Sequence, residues 1–182
     1  CAISDNIVVG NITQGIRVQP LTEIGTSSSV VTGNNLSNIG NASTNSGIYI
    51  DHDTTGTVNS SGVIVSDNII SGDYEYGIYV LASDNAINNL VISGNTFGDS
   101  ATTTGIYVRS QSGASISNLS ITGNVVPSTG SQGIYLFSAG STGDITKGTI
   151  TGNTVGPATF GIRLIKTSDI VISGNQNQGT SR

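Results

Sequence analysis

The sequence predicts an all-β protein whose short strands stack into a parallel solenoid. A Gly-Ile step recurs at spacings of 32, 30, 28, 28 and 28 residues. Its glycines are Gly15, Gly47, Gly77, Gly105, Gly133 and Gly161. Apolar and polar residues alternate between these steps, as in Leu119–Thr122, and a period of two is that of a β-strand. Equivalent positions hold like residues from repeat to repeat, which favours strands stacked directly above one another.

A second repeated step, Ser/Thr-Gly-Asn, precedes each Gly-Ile step. Its asparagines are Asn34, Asn95, Asn124, Asn153 and Asn175, with variants that end in Asn11 and Asn68. We expect the glycine to form a sharp turn with positive φ. The asparagines from Asn34 to Asn175 should stack as an internal ladder, because a carboxamide both donates and accepts hydrogen bonds.

The period near 28 residues argues against a sandwich or barrel, whose strands and turns alternate every 8 to 12 residues. No stretch has the apolar spacing of an amphipathic helix, so the prediction is about six to seven coils and no helices. Residues 1–182 are predicted to form a single domain. The repeat runs into both ends without a cap, which fits either a piece of a longer β-helix or copies that stack end to end into a fibre, and we favour the second.

The composition narrows the classes of function. Only 9% of the residues are charged, and the six Lys and Arg residues are scattered along a chain of net charge −5. This argues against nucleic-acid binding. No apolar run approaches the roughly 20 residues needed to cross a bilayer, so no transmembrane segment is predicted. A surface rich in Ser, Thr, Asn and Gly indicates an extracellular protein or one on a cell or virion surface.

The repeated Ile-x-Gly-Asn-x-hydrophobic pattern followed by Gly-Ile-Tyr resembles the right-handed parallel β-helix family, the pectin-lyase-like superfamily, over essentially the whole chain. That family includes polysaccharide lyases, hydrolases, alginate epimerases and phage tailspikes. The resemblance implies the architecture much more specifically than it implies an activity.

If the isoleucine of each Gly-Ile step points inward, the residue after it points outward. This outward column reads Arg17, Tyr49, Tyr79, Tyr107, Tyr135 and Arg163. Two residues further on, a second outward column contains Asp51 and Arg109 beside apolar residues. The tyrosines form a strip on which sugar rings could stack, or they stack on one another and stiffen the sheet. The strip could also serve as a protein interface.

The densest polar cluster is Asp51, His52 and Asp53, next to Tyr49. We expect Tyr49 and Asp51 on the outer face, and His52 and Asp53 at the following bend. The cluster is loosely similar to the Tyr-x-x-Asp-x-His region of alginate epimerases, and this similarity implies an acid, a histidine and a tyrosine that move a proton. The alternatives are an ordinary loop or a weak calcium site at Asp51 and Asp53; no other cofactor is expected.

The sequence therefore favours a non-catalytic, self-associating module of an extracellular fibre or appendage. The first alternative is a polysaccharide-binding module. The second is a polysaccharide lyase, epimerase or glycoside hydrolase.

Overall fold

Parallel pairing between successive coils organises the whole molecule. The computed structural model describes residues 1–10, 12–19, 27–39, 45–52, 59–83, 85–98, 103–111, 113–139 and 144–178. Strands in these ranges pair in parallel with their counterparts one repeat away. The same ranges contain no helix, and hence none that has the length and apolar character of a membrane-spanning segment. The predicted fold class is confirmed.

The strands form three sheets that run along the axis. The first sheet contains Ala2–Ser4, Ser27–Thr32, Ser60–Ser66, Ile87–Asn88, Leu90–Ser93, Ile116–Thr122, Ile145–Thr151 and Thr167–Ser173. The second contains Ile7–Val9, Asn35–Ile39, Ile69–Gly72, Thr96–Phe97, Val125–Val126, Thr154–Val155 and Gln176–Asn177. The third contains Gln14–Val18, Ser46–His52, Tyr76–Ala82, Thr104–Ser110, Gln132–Ser138 and Phe160–Ile165.

Each coil contributes a strand to each sheet in turn, so residues about 28 apart become neighbours. The six strands of the third sheet are separated by five full turns of the chain, slightly fewer than the six to seven coils predicted from the repeats.

Stacked aliphatic side chains fill the interior. The isoleucines of the Gly-Ile step pair with one another, and Ile48, Ile78, Ile106 and Ile134 have no exposed surface. The glycine before each isoleucine also faces inward, because a Cβ atom on Gly77 would overlap the ring of Phe97. The recurring Gly-Ile step is therefore a packing requirement of the third sheet against the second.

The turn between the first and second sheets explains the other repeated step. The glycine of this step has a left-handed conformation, with φ of 65° at Gly94 and Gly123. Asp5 and Asp67 occupy the same place with φ of 58° and 56°, which aspartate tolerates better than most residues.

The asparagine after this turn forms the predicted ladder. Nδ2 of Asn95 donates to Oδ1 of Asn124 at 3.0 Å, and Nδ2 of Asn124 donates to Oδ1 of Asn153 at 2.9 Å. Each backbone N–H donates to the same oxygen of the next asparagine, at 3.0 Å in both cases. These side chains are completely buried, so the ladder satisfies polar groups inside the turn.

The ladder begins one coil before the predicted run from Asn34 to Asn175. Asn6 donates through both its backbone N–H and Nδ2 to Oδ1 of Asn34. Asn11, which the Val-Gly-Asn pattern suggested as a variant of the repeated step, lies outside the described residues. The repeat therefore begins at Ser4-Asp5-Asn6, five residues earlier than that pattern indicated.

Candidate functional site

The outer face of the third sheet carries a single column of arginine and tyrosine side chains. The strand register pairs Arg17 with Tyr49, the tyrosines with one another, and Tyr135 with Arg163. A second column holds Asp51, Leu81, Arg109, Phe137 and Ile165. The structure thus brings together all the residues that the sequence assigned to this face.

The four tyrosine rings of the column lie on one another. The centroids of Tyr49 and Tyr79 are 5.0 Å apart with planes inclined by 9°. Tyr79 to Tyr107 and Tyr107 to Tyr135 repeat this distance with angles of 7°. Because each ring covers the face of its neighbour, the stack presents ring edges to solvent rather than faces. Tyr107 is only 8% exposed.

Guanidinium groups cover both ends of the tyrosine stack. Cζ of Arg17 lies 5.4 Å from the ring centroid of Tyr49. Cζ of Arg163 lies 5.2 Å from the centroid of Tyr135, and also 5.0 Å from that of Phe160. An arginine over an aromatic face is attracted by the negative face of the ring. The two outermost faces are thus occupied as well.

A fifth tyrosine, Tyr76, contacts the stack from the side. Its ring centroid lies 5.1 Å from that of Tyr79 and 5.3 Å from that of Tyr107. Sequence reasoning missed Tyr76, although it directly precedes a Gly-Ile step where other coils carry Ser46 or Thr104. Burial raises the pKa of Tyr76, and its hydrogen bond to Glu75 adds to the effect.

Asp51 is bound to its neighbours on the outer face. Its carboxylate accepts a hydrogen bond and ion pair from Arg17, and it is only 3% exposed. Burial raises the pKa of the Tyr49 hydroxyl, and a hydrogen bond to Asp51 raises it further. Burial likewise raises the pKa of Tyr79, whose hydroxyl is hydrogen-bonded to Arg109. Pairing on this face is incomplete, since Oδ1 of Asp51 and Nε of Arg109 are buried without a hydrogen-bond partner among the described residues.

The prediction that His52 lies at a bend is wrong. His52 is the last residue of the strand Ser46–His52, is fully buried, and stacks over Ala82 in the column that continues to Ser110. The alternation of the strand simply continues one residue further than expected and turns the imidazole inward. Asp51 faces outward in the same strand, so the two side chains do not converge on one solvent-facing site.

The interior position of His52 has chemical consequences. Burial lowers its pKa, which favours the neutral imidazole. Neither ring nitrogen has a hydrogen-bond partner among the described residues. Asp53, the third member of the predicted cluster, lies outside the described residues. In the described ranges no three His, Cys, Asp or Glu residues group as metal ligands, and a weak calcium site at Asp51 and Asp53 stays a prediction.

The coil geometry agrees with a comparison against models of known protein families. Residues 56–179, about two thirds of the chain, match the model described as a right-handed β-helix region. The chain belongs to this right-handed β-helix family. No curated protein and no solved structure matches the chain. Membership fixes the hand and the architecture of this β-helix, whereas its function has to be argued from the faces of the three sheets.

Proposed function

We propose that this β-helix is a non-catalytic structural module of an extracellular fibre or appendage, on a cell or virion surface, that associates with copies of itself. The observation that carries the proposal is the closed outer face of the third sheet. A general acid or base must reach a substrate proton. Here Asp51 is paired with Arg17, and His52 is turned into the interior.

The direction of the asparagine ladder supports association along the axis. Each asparagine donates to the asparagine of the following coil and accepts from that of the preceding coil. Asn6 donates to Asn34, and Asn175 accepts from Asn153. The acceptor oxygen of Asn6 and the donor groups of Asn175 are therefore complementary. A coil of a second copy can continue the ladder head to tail.

Sedimentation velocity over a range of concentrations tests the self-association. We expect the sedimenting mass to rise with concentration, since terminal strands pair readily with further strands. Ile172→Lys places a charge on the interior column of the last coil, where the side chain is 45% exposed, and should block this growth. Thr149→Lys is the control, because Thr149 is exposed on the outer face of an inner coil. A monomer at every concentration contradicts the proposal.

A second candidate function is polysaccharide binding along the tyrosine column. The partly exposed rings of Tyr49, Tyr79 and Tyr135 favour it, with Arg109 beside them. Because the faces are covered, a glycan would contact ring edges and hydroxyl groups. Glycan-array binding that falls in Tyr79→Phe, which keeps the stack but removes a hydroxyl, would support this candidate. Unchanged binding in that variant, or no binding at all, would remove it.

Uronate polymers incubated with the protein test the lyase alternative, through the appearance of unsaturated products.

A further inference from the structure

The outer face of the first sheet differs in kind from that of the third. Among its side chains are two parallel columns of seven residues each. One column consists only of hydroxyl residues: Ser4, Thr32, Ser66, Ser93, Thr122, Thr151 and Ser173. The other consists of small and β-branched residues: Ala2, Val30, Ile64, Val91, Ser120, Thr149 and Val171. All fourteen side chains are at least partly exposed, and none is charged or aromatic.

This two-column face is a regular lattice. Neighbouring members of one column are separated by the strand spacing of about 4.8 Å, and the two columns by about 7 Å, two residues along a strand. Valine, isoleucine and threonine are stiff at χ1, so their methyl and hydroxyl groups hold fixed positions. The hydroxyl groups of Thr32 and Ser66 lie 3.0 Å apart and bond to each other along the column. The charges that border this face are Asp5 and Asp67 in the turn after the hydroxyl column, and Lys147 and Asp169 two residues before the second column.

The chemistry of the two-column face excludes most partners. Ions and nucleic acids require charge, and sugar rings are bound through aromatic side chains, neither of which the columns contain. The face is about 30 Å long and about 10 Å wide, well below the roughly 800 Å² per partner of a specific protein interface. A surface suited to this face must itself be periodic, uncharged and rich in hydrogen-bonding groups.

We propose that the two-column face binds crystalline water, that is, the surface of ice. The oxygen atoms of hexagonal ice repeat along the crystal axis at a distance close to the strand spacing. Hydroxyl groups in one column can take places in the hydrogen-bond lattice of the crystal. Methyl groups in the other column order water around them without competing for its hydrogen bonds.

The test uses ice as the ligand and the full chain as the protein. Thermal hysteresis and the inhibition of ice recrystallisation are measured for the wild type, Val91→Lys and Thr122→Lys. Each lysine side chain extends into solvent and prevents the centre of the two-column face from contacting ice. The matched control is Val125→Lys, since Val125 is 40% exposed on the adjacent second sheet of the same coil as Thr122. Circular dichroism confirms that each variant is folded.

We expect thermal hysteresis in the wild type and in Val125→Lys, and a loss of more than half of it in Val91→Lys and Thr122→Lys. Absence of any effect of the wild type on ice growth overturns the proposal, as does an equal loss in the control. Binding to crystalline cellulose without an effect on ice, or pairing of two copies through this face, would also overturn it. None of these outcomes depends on the growth of assemblies along the axis.

Discussion

Arg163 covers the one face of Tyr135 that the tyrosine stack leaves free, with Cζ 5.2 Å from the ring centroid. The other face of Tyr135 lies against Tyr107. Arg17 does the same for Tyr49 at the opposite end. The column of aromatic side chains that looks like an open surface in the sequence is thus a stack whose ring faces are all covered.

The contribution of Arg163 can be measured by substitution. Arg163→Ala should lower the free energy of unfolding by about 1 kcal/mol, the usual size of a partly exposed cation–π contact. Arg163→Lys keeps the charge but lacks the planar group, so it should lose less. Urea unfolding measures both. An Ala variant as stable as the wild type would show that the arginine does not hold the end of the stack.

The tyrosines should ionise late. Burial raises the pKa of Tyr49, Tyr76, Tyr79 and Tyr107 above the ordinary value near 10. In the unfolded chain these hydroxyl groups lose their protons at a lower pH than in the folded protein. Stability should therefore fall as the pH rises through and above about 10. Phenolate absorbance followed during alkaline titration should show these residues titrating only as the protein unfolds. Full ionisation near pH 10 with retained circular dichroism would contradict the buried stack.

Loss of an internal rung of the asparagine ladder should destabilise the protein more than loss of the last rung. Asn124→Ala removes the acceptor for two donors of Asn95 and the donor for Asn153, all buried, and should cost about 3 kcal/mol. Asn175→Ala removes a rung that is only partly buried, so its cost should be smaller. Equal losses in denaturant unfolding would indicate that burial does not set the strength of the ladder.

Alanine substitutions at two glycines distinguish the cost of backbone strain from the cost of overpacking. Gly123 has φ of 65° and open space around a Cβ atom, so Gly123→Ala should cost about 1–2 kcal/mol through conformation alone. Gly133 has an ordinary φ, but a Cβ atom there would overlap Val155 and approach the carbonyl oxygen of Gly161 at 2.7 Å. Overpacking of this kind should make Gly133→Ala the more damaging change. The reverse order of melting temperatures would contradict the packing explanation.

His52 should make folding sensitive to acid. Because burial lowers its pKa in the folded protein, the unfolded chain binds the proton first, and stability should fall as the pH drops below about 6.5. His52→Ser matches the small residues at this place in later coils, such as Ser110 and Ser138. The variant should lose part of the pH dependence between neutral and mildly acidic conditions. Identical pH profiles for the variant and the wild type would mean that His52 is not held neutral inside.

The repeat made most of this molecule predictable. Parallel in-register stacking follows from like residues at one phase, and it correctly placed Tyr79 beside Tyr107 and Asn95 beside Asn124. The repeat period and the strand alternation do not determine in which direction a long side chain extends from the sheet. Whether Arg163 points to solvent or folds over Tyr135 depends on the local charge and packing rather than on spacing.

The incorrect predictions have identifiable causes. The rung at Asn6 was missed, although its 28-residue separation from Asn34 matches the repeat. The prediction for His52 ended the strand alternation one residue too early, since strict alternation from Ile48 places its side chain inward.

The central proposal is that this β-helix continues from one copy to the next along its axis. Electron cryomicroscopy of the concentrated protein tests it directly. We expect rods in which the strand spacing of about 4.8 Å runs unbroken across the junction between the coil of Asn175 and that of Asn6. Single particles of one chain at every concentration, or copies joined only side by side, would contradict it.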